Sequence, residues 1–124
     1  MRQSAKTILS TASVVAIVLG SLAFTPKTVT AEEKSAVEEG KEIAFHRQKG
    51  NCLACHKIEG GSLPGNIGPE LVNMKARYPD KSKLRAQIWD ATVTNPNTIM
   101  PPFGKYKMLS EEEIDKVVEF IYSL

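Results

Sequence analysis

The sequence is poor in the residues from which metal and redox sites are usually built. Its 124 residues include only two cysteines and two histidines. A structural zinc site needs four ligands, so it would have to use both cysteines and both histidines. A thioredoxin-like cysteine pair would need a βαβ setting, yet no stretch of the sequence alternates as a strand would. Internal repeats and low-complexity tracts are also missing, and the remaining pattern favours an all-α domain with long loops.

The first 31 residues contain no acidic side chain and have the pattern of an export signal. Two basic residues precede an uncharged run over positions 8–24, and small side chains lead up to Ala31. This order predicts a signal peptide over residues 1–31 that is cleaved after Ala31, with Ala23 as an alternative site, and hence a periplasmic protein. An uncleaved membrane anchor is the other interpretation, although 17 residues diluted by Ser, Thr and Gly are marginal for spanning a bilayer.

Removal of this segment would change the charge of the protein. The whole chain has a formal net charge of +2, but three of its 16 basic residues and none of its 14 acidic residues precede position 32. The predicted mature domain, residues 32–124, therefore has a formal net charge of −1. That charge gives no argument for nucleic-acid binding. Its 93 residues would form one small domain with a thin core unless a cofactor contributes.

Both cysteines belong to the run Cys52-Leu53-Ala54-Cys55-His56, the C-x-x-C-H signature of covalent haem attachment. Two thiols at this spacing add across the two vinyl groups of haem as thioethers. The adjacent His56 is then placed to bind the iron through a ring nitrogen, as the proximal ligand. The sequence therefore predicts one covalently bound haem c, with a thioredoxin-like pair or half of a zinc site as the alternatives.

The second axial ligand decides whether the iron keeps an open site. Met100 is the candidate, because it lies 44 residues after His56 in a loop stiffened by two following prolines. The remaining candidates are Met74 and Met108, expected as core residues, and His46, expected on a helix surface. Ligation by His56 and Met100 fills both axial positions, which favours outer-sphere electron transfer over catalysis at the haem.

Capping signals and apolar spacing predict about four helices. Ser35 with Glu38, and Ser110 with Glu113, have the form of capping boxes, in which each side chain satisfies a free amide of the other residue. Segments rich in glycine and proline separate the apolar stretches and predict loops. We expect helices over residues 36–48, 70–77, 81–93 and 111–123.

Two charged groups and one tryptophan each have two interpretations. The basic group could steer an anion or an acidic partner, and the acidic group could favour the N-terminus of the last helix. Each could equally be an ordinary solvated helix face. The tryptophan could lie at a haem edge or in the core. The basic group consists of Arg77, Lys81, Lys83 and Arg85. The acidic group consists of Glu111, Glu112, Glu113 and Asp115, and the tryptophan is Trp89.

The order of these motifs resembles that of class I cytochromes c: a helix with a glycine, C-x-x-C-H, a G-P-x-L segment, a methionine loop and a last helix. The resemblance implies that the carbonyl of Pro69 accepts a hydrogen bond from the second ring nitrogen of His56. It also implies that Gly40 meets the last helix near Phe120 or Ile121. A turn proline and a tolerated helix glycine are the alternative explanations.

A narrower resemblance, over essentially the whole mature chain, is to the SoxX family. Its members are the monohaem subunits of the SoxAX cytochrome complexes of bacterial sulfur oxidation. The stretches between positions 77 and 104 carry most of the specificity. The matching stretches are Gly50-Asn51-Cys52-Leu53-Ala54-Cys55-His56, Gly68-Pro69, Arg77-Tyr78-Pro79-Asp80, Leu84-Arg85-Ala86-Gln87-Ile88-Trp89-Asp90, Asn95-Pro96 and Met100-Pro101-Pro102-Phe103-Gly104.

The SoxX resemblance implies an electron-transfer subunit of an enzyme complex. In SoxAX, the SoxA cytochrome carries a cysteine-ligated haem, where thiosulfate is joined to a cysteine of the SoxYZ carrier protein and two electrons are released. This L-cysteine S-thiosulfotransferase chemistry would lie on SoxA, because the present chain has no third cysteine. The chain would pass electrons from SoxA to a soluble cytochrome c. A free-standing periplasmic monohaem shuttle is the alternative, and a haem enzyme or sensor with an open site is a third.

Overall fold

Four α-helices joined by long loops make up residues 34–124, the part of the chain that the computed structural model describes. The predicted signal peptide over residues 1–31 and its cleavage sites lie outside those residues. Within them there is no β-strand, which agrees with the predicted all-α class. The helices are α1 (Ala36–Phe45), α2 (Met74–Arg77), α3 (Lys81–Trp89) and α4 (Glu111–Ser123), with single 3₁₀ turns at Cys52–Ala54 and Ala91–Val93.

Both predicted capping boxes are present and start the two helices that frame the domain. The Ser35 hydroxyl accepts from the Glu38 amide, and the Glu38 carboxylate accepts from the Ser35 amide at 3.0 Å. The same reciprocal pair joins Ser110 and Glu113 at the start of α4. Because four backbone amides of a helix start lack partners inside the helix, these bonds fix where α1 and α4 begin.

Helices α1 and α4 pack closely because of a glycine at their contact. A Cβ on Gly40 would lie 1.9 Å from the carbonyl oxygen of Lys116 and 3.0 Å from the Cβ of Phe120. The predicted approach of this glycine to the last helix near Phe120 is therefore confirmed. Beside it, the rings of Phe45 and Phe120 meet edge to face with centroids 5.7 Å apart.

The apolar face of α4 supplies much of the core, and the other helices and loops complete it. Leu109, just before the helix, and Ile114, in its first turn, are both buried, as a hydrophobic staple requires. The buried apolar side chains are Ala44, Ile58, Met74, Leu84, Ile88, Ala91, Phe103, Leu109, Ile114, Val117, Val118, Phe120 and Ile121.

Two helices end earlier than the sequence pattern predicts. The prediction extended α1 to residue 48, but it ends at Phe45, because the chain turns back and the Gly50 amide donates to the carbonyl of Ile43 at 3.1 Å. The prediction extended α3 to residue 93, but it ends at Trp89. Asp90 is extended there (φ −153°, ψ 90°), and its side chain accepts from the Thr92 amide, which starts a separate 3₁₀ turn.

The second predicted helix, over residues 70–77, is reduced to the four residues of α2. Asn73 stands before it in the left-handed region, with φ 52°. The preceding segment is not helical, and its Leu71 amide donates to the carbonyl of Lys57 at 2.9 Å. This bond ties the segment to the loop that carries the C-x-x-C-H motif, so tertiary pairing replaces helix in residues 70–73.

Among residues 34–124, no helix is both long enough and apolar enough to cross a membrane.

Candidate haem site

A cavity of about 570 Å³ opens between the C-x-x-C-H motif, the loop that carries Met100 (the methionine loop, residues 98–109) and the buried faces of α3 and α4. Its volume falls within the roughly 300–1,000 Å³ of cofactor and ligand sites in proteins. Most of the side chains that line the cavity are apolar, and they include Leu84, Phe103 and Val117. All five predicted site residues line this one cavity: Cys52, Cys55, His56, Pro69 and Met100.

The 3₁₀ turn at Cys52–Ala54 presents both thiols at the cavity wall. Cys52 and Cys55 are half-buried, and they form no disulfide with each other. Burial raises the pKa of the Cys52 thiol to about 11. A redox-active pair of the thioredoxin kind needs a thiolate with a lowered pKa, so this environment argues against that interpretation.

The imidazole of His56 is oriented by the backbone of a neighbouring loop. Its Nδ1 lies 2.7 Å from the carbonyl oxygen of Pro69. Because a carbonyl only accepts hydrogen bonds, Nδ1 must carry the proton, and Nε2 keeps its lone pair for a metal. The hydrogen bond implied by the class I resemblance is therefore present, and it selects the tautomer that an axial ligand needs.

Glycines let this loop lie directly on the motif. The Gly65 amide donates to the carbonyl of Leu53 at 2.7 Å, and the Gly68 amide donates to the carbonyl of Cys55 at 2.8 Å. A Cβ on Gly65 would lie 2.0 Å from the carbonyl oxygen of Ala54, and one on Gly68 would lie 2.5 Å from the His56 ring. Side chains larger than hydrogen would therefore push the loop away from the motif.

Met100 lies on a different loop, between the 3₁₀ turn at Ala91–Val93 and α4. Its amide donates to the hydroxyl of Thr98 at 3.1 Å, and the half-buried Pro101 follows it. Phe103, three residues later, is 6% exposed and belongs to the core. The loop is thus fixed on both sides of Met100, which places a soft thioether ligand in the wall of the cavity.

The other axial candidates differ in burial and position. Met74 is 1% exposed and Met108 is 48% exposed, and both also line the cavity. Met74 is the core residue that was expected, whereas Met108 is too exposed for that role. His46 is exposed and does not line the cavity, and its Nδ1 accepts a hydrogen bond from the Gln48 amide at 3.1 Å.

The charged part of the cavity wall consists of Arg47, Lys49 and Arg77, with no carboxylate. Lys49 also pairs with Glu113 of α4, so the guanidinium groups of Arg47 and Arg77 are the part of this wall that suits a group with carboxylates of its own, as haem has. Sequence reasoning missed Arg47 and Lys49, and it assigned Arg77 to a steering cluster. The Arg77 guanidinium instead donates to the carbonyl of Glu70 at 2.8 Å and contacts the Met74 sulfur at 3.4 Å. Proximity of positions 47 and 49 to the motif was the available signal.

Two members of the predicted basic group form ion pairs with acidic side chains of α4. Lys81 pairs with Glu119 at 2.9 Å, and Arg85 pairs with Asp115 at 2.6 Å, so ion pairs join α3 to α4. The interpretation as helix-surface charges therefore holds for these pairs. Trp89 is half-buried outside the cavity, with the Arg85 guanidinium 5.4 Å from its ring centroid. A haem-edge position for this tryptophan is thus not supported.

Comparisons with known proteins agree with this geometry. The family model described as "Cytochrome C oxidase, cbb3-type, subunit III" matches residues 35–121. An uncharacterized lipoprotein of Aquifex aeolicus (strain VF5) is 32% identical over 76 residues, which are 60% of this chain and 37% of that protein. The present chain therefore spans well under half the length of this relative.

A solved structure provides the comparison of folds. The crystal structure of SoxXA from P. pantotrophus contains a chain that matches with a TM-score of 0.64 and 27% sequence identity. The match covers 74% of the present chain and 83% of that chain. Together with the family model, it confirms the predicted class I cytochrome c fold, the SoxX-like character, a covalently bound haem c and a role in electron transfer.

Proposed function

This chain belongs to the family described as cytochrome c oxidase, cbb3-type, subunit III, and we propose that it is the SoxX-like electron-transfer subunit of a SoxAX-type complex. Haem, when bound, supplies a one-electron couple between ferric and ferrous iron. The observation that carries the proposal is the likeness to a chain of SoxXA, which extends over 83% of that chain. The cavity lined by the motif and by Met100 supports it.

The proposed ligand set divides the work among a few side chains. Cys52 and Cys55 would hold the cofactor by two thioether bonds. His56 would bind the iron through Nε2, because its Nδ1 donates to the Pro69 carbonyl at 2.7 Å. Met100, on the proline-stiffened loop, would supply the second iron ligand. Ligation by both residues would leave no position on the iron for a substrate, which supports electron transfer rather than catalysis at this haem.

The chemistry of the complex is proposed to occur on the SoxA-type partner. There thiosulfate forms a sulfur–sulfur bond with a carrier cysteine of SoxYZ, and the thiol loses its proton while two electrons are released. One haem accepts one electron at a time, so each reaction requires two transfers through the present chain. A soluble cytochrome c takes the electrons. The only two cysteines here belong to the haem motif, so neither the carrier nor the catalytic thiolate is on this chain.

We further propose that residues 1–31 are a cleaved signal peptide and that residues 32–124 act in the periplasm as one haem domain. The basic start, the uncharged run and the small residues before Ala31 support export. Attachment of c-type haem on the far side of the inner membrane agrees with that location. Mass spectrometry of the purified protein would give the new N-terminus, for which Glu32 is expected.

The family name provides a second candidate function, because it describes a component of a terminal oxidase. In that case the chain would pass electrons to an oxidase instead of receiving them from a thiosulfate-oxidising partner. The two candidate functions predict that different partner proteins co-purify with this chain. A free electron shuttle predicts that no partner protein does.

Gentle isolation from the native periplasm tests these alternatives. A tag after Leu124 keeps that residue's carbonyl, which accepts from the Met74 amide at 3.2 Å. The untagged strain controls for unspecific capture. A stoichiometric cytochrome with a thiolate-ligated haem, identified by mass and by electron paramagnetic resonance, is the expected companion. Recovery with oxidase subunits, or as a haem-bearing monomer, would contradict the SoxAX assignment.

The isolated complex then allows a functional test. Thiosulfate together with the reduced carrier protein should reduce the haem of this chain, and neither should do so alone. Reduction by thiosulfate in the absence of any carrier would show that the proposed reaction is wrong even if the complex is right.

A further inference from the structure

The C-terminal end of α3 is capped by the loop that carries Met100. The last carbonyls of a helix have no partners within it and need donors from elsewhere. The carbonyl of Trp89, the final residue of α3, accepts from the amides of Gly104 and Lys105, at 3.1 and 3.3 Å. These two amides lie four and five residues after Met100. Backbone hydrogen bonds therefore join the last carbonyl of α3 to two amides of the methionine loop, and these polar groups satisfy each other.

The side chain of Trp89 covers the same point of the loop. A Cβ on Gly104 would lie 2.1 Å from Cδ2 of the indole, so the ring lies directly against the glycine backbone. The Arg85 guanidinium lies 5.4 Å from the ring centroid, a cation–π distance. The ring is thus held between the arginine and the loop. Only glycine at position 104 allows this approach.

An ion pair reinforces the contact one residue further along. Asp90 is 8% exposed and is the one charged side chain in residues 34–124 that is buried. Its Oδ2 lies 2.9 Å from Nζ of Lys105, and its Oδ1 accepts from the Thr92 amide at 3.0 Å. Lys105 also stands at the C-terminal, negative end of the α3 dipole. A carboxylate this buried depends on its partners, because an unpaired charge in such a place is costly.

We propose that Trp89, Asp90, Gly104 and Lys105 form a latch that holds the methionine loop closed and so positions Met100 as the axial ligand. This inference rests on the proposed ligation by Met100. A thioether is a weak ligand, so the lifetime of its bond to iron depends on how often the loop moves away. The Thr98 hydroxyl holds the loop before Met100, and the latch holds it after. These residues act through Met100 and are positioning residues.

The test measures how fast Met100 leaves the iron in the intact ferric holoprotein. Imidazole is the probe, because at saturating concentration its binding rate equals the rate of methionine dissociation. The methionine-to-iron charge-transfer band in the far-red reports the bond itself. The variants are Asp90→Asn, Lys105→Gln and the double variant. Asn keeps the size of the side chain and its ability to accept from Thr92, so only the ion pair is lost.

Each single variant should raise the saturating rate by about tenfold, and the double variant should match the singles, because the two residues act through one contact. Lys81→Gln is the matched control. It removes an ion pair of the same 2.9 Å length, between α3 and α4, without touching the methionine loop. Its rate should equal that of the wild type. Gly104→Ala, which disturbs the tryptophan contact, should raise the rate at least as much as the ion-pair variants.

The possible outcomes distinguish a failure of the proposed latch from a failure of the proposed ligation by Met100. A wild-type protein without the charge-transfer band would overturn the Met100 ligation on which the latch depends. A wild type with the band, whose Asp90 and Lys105 variants bind imidazole no faster than Lys81→Gln, would overturn the latch alone. Additive effects in the double variant, or lower unfolding stability without a faster imidazole rate, would also overturn it, because either result assigns these residues a merely structural role.

Discussion

The two flanks of the cavity are built differently. On the histidine flank, residues 52–71, backbone hydrogen bonds tie the motif to the loop that follows it. Two amides of that loop donate to motif carbonyls, and a third donates to the carbonyl of Lys57 directly after the motif, at 2.7–2.9 Å; the Pro69 carbonyl fixes the His56 ring. On the methionine flank, residues 98–109, the loop depends on the end of α3, on one ion pair and on the tryptophan–glycine contact.

This difference predicts how each flank responds to change. Backbone hydrogen bonds survive most side-chain substitutions, so, apart from the haem-binding residues, the glycines are the sensitive positions of the histidine flank. The methionine flank combines two backbone bonds to Trp89 with an ion pair and the tryptophan–glycine contact, so we expect side-chain substitutions to loosen it more readily. In a cytochrome this asymmetry keeps the cofactor attached and one ligand constant while the second ligand sets the potential.

The largest effect is expected from Met100→Ala, which removes the proposed ligand on the methionine flank. The haem should stay attached, the charge-transfer band should vanish, and the ferrous protein should bind CO. The reduction potential should fall by an amount on the order of 100 mV or more, because axial ligands set potentials over about 0.8 V. Met108→Ala is the control, since Met108 also lines the cavity but is 48% exposed. A native ferric spectrum for Met100→Ala would contradict the ligand assignment.

A smaller but definite effect is expected from Gly68→Ala on the histidine flank. The new Cβ would lie 2.5 Å from the His56 ring, so loop and ring must separate, at a cost of about 1–3 kcal/mol in the free energy of unfolding. Chemical denaturation of the holoprotein measures this loss, and the yield of attached haem should also fall.

Gly61→Ala is the matched control for that substitution. Its Cβ would meet chiefly the tip of the Leu53 side chain, at 2.3 Å, and a flexible tip can move away. We expect less than half the destabilisation of Gly68→Ala. Equal losses for the two variants would show that the loop, and not the imidazole contact, determines the cost.

The acid dependence of the methionine flank gives a third test. Hydrogen bonds from Thr92 and the neighbouring Lys105 hold the pKa of Asp90 below its ordinary value, and Asp90 raises the pKa of Lys105. A lowered carboxyl pKa stabilises the fold above the unfolded pKa, about 3.9, and this stability is lost as the pH falls through the folded pKa. The raised pKa of Lys105 stabilises the fold at pH values below the unfolded pKa, about 10.4. This stability is lost as the pH rises through the folded pKa.

The stability difference between the wild type and Asp90→Asn should therefore be constant between about pH 5 and 9 and shrink at both extremes. Denaturation at a series of pH values measures it. Thr92→Val should raise the pH at which the acid loss occurs, because Thr92 makes the largest contribution to the lowered pKa of Asp90. A difference that grows as the pH falls would refute this account of the ion pair.

The smallest effect is expected from Pro69→Ala. The hydrogen bond to His56 uses the backbone carbonyl, which alanine retains, so the ferric spectrum should not change. Loss of the proline ring makes the unfolded chain more flexible and should cost about 0.4–1 kcal/mol in the free energy of unfolding. A shifted spectrum would show that the ring itself, and not only the carbonyl, orients the imidazole.

The starts of α1, α3 and α4 were predicted correctly from the sequence, whereas the start of α2 and the ends of α1 and α3 were not. Ser35 and Ser110 mark the first residues of α1 and α4, because a capping box is a local bond between residues three apart. The end of α1 follows a turn in which the Gly50 amide bonds back to Ile43, and the end of α3 is capped by the Gly104 and Lys105 amides, which bond to the carbonyl of Trp89. No local pattern encodes such partners.

The candidate site shows the same division. The cysteines, His56 and Met100 were found from motif and spacing, and the structure brings them to one cavity. The cationic wall was missed, because proximity of Arg47 and Lys49 to the motif was the one available signal and does not show that their side chains line the cavity. The basic group over residues 77–85 was ambiguous because its partners, Asp115 and Glu119, lie about thirty or more residues away on α4.

The sequence by itself determined the cofactor class, the helical fold and the candidates for both axial ligands. Those features follow from the chemistry of a few adjacent groups and from local capping, which do not depend on the rest of the chain. The tertiary structure decided the tautomer of His56, the sharing of backbone bonds between α3 and the methionine loop, and the pairing of surface charges. Each of these joins groups far apart in sequence, so only the packed chain brings them within bonding distance.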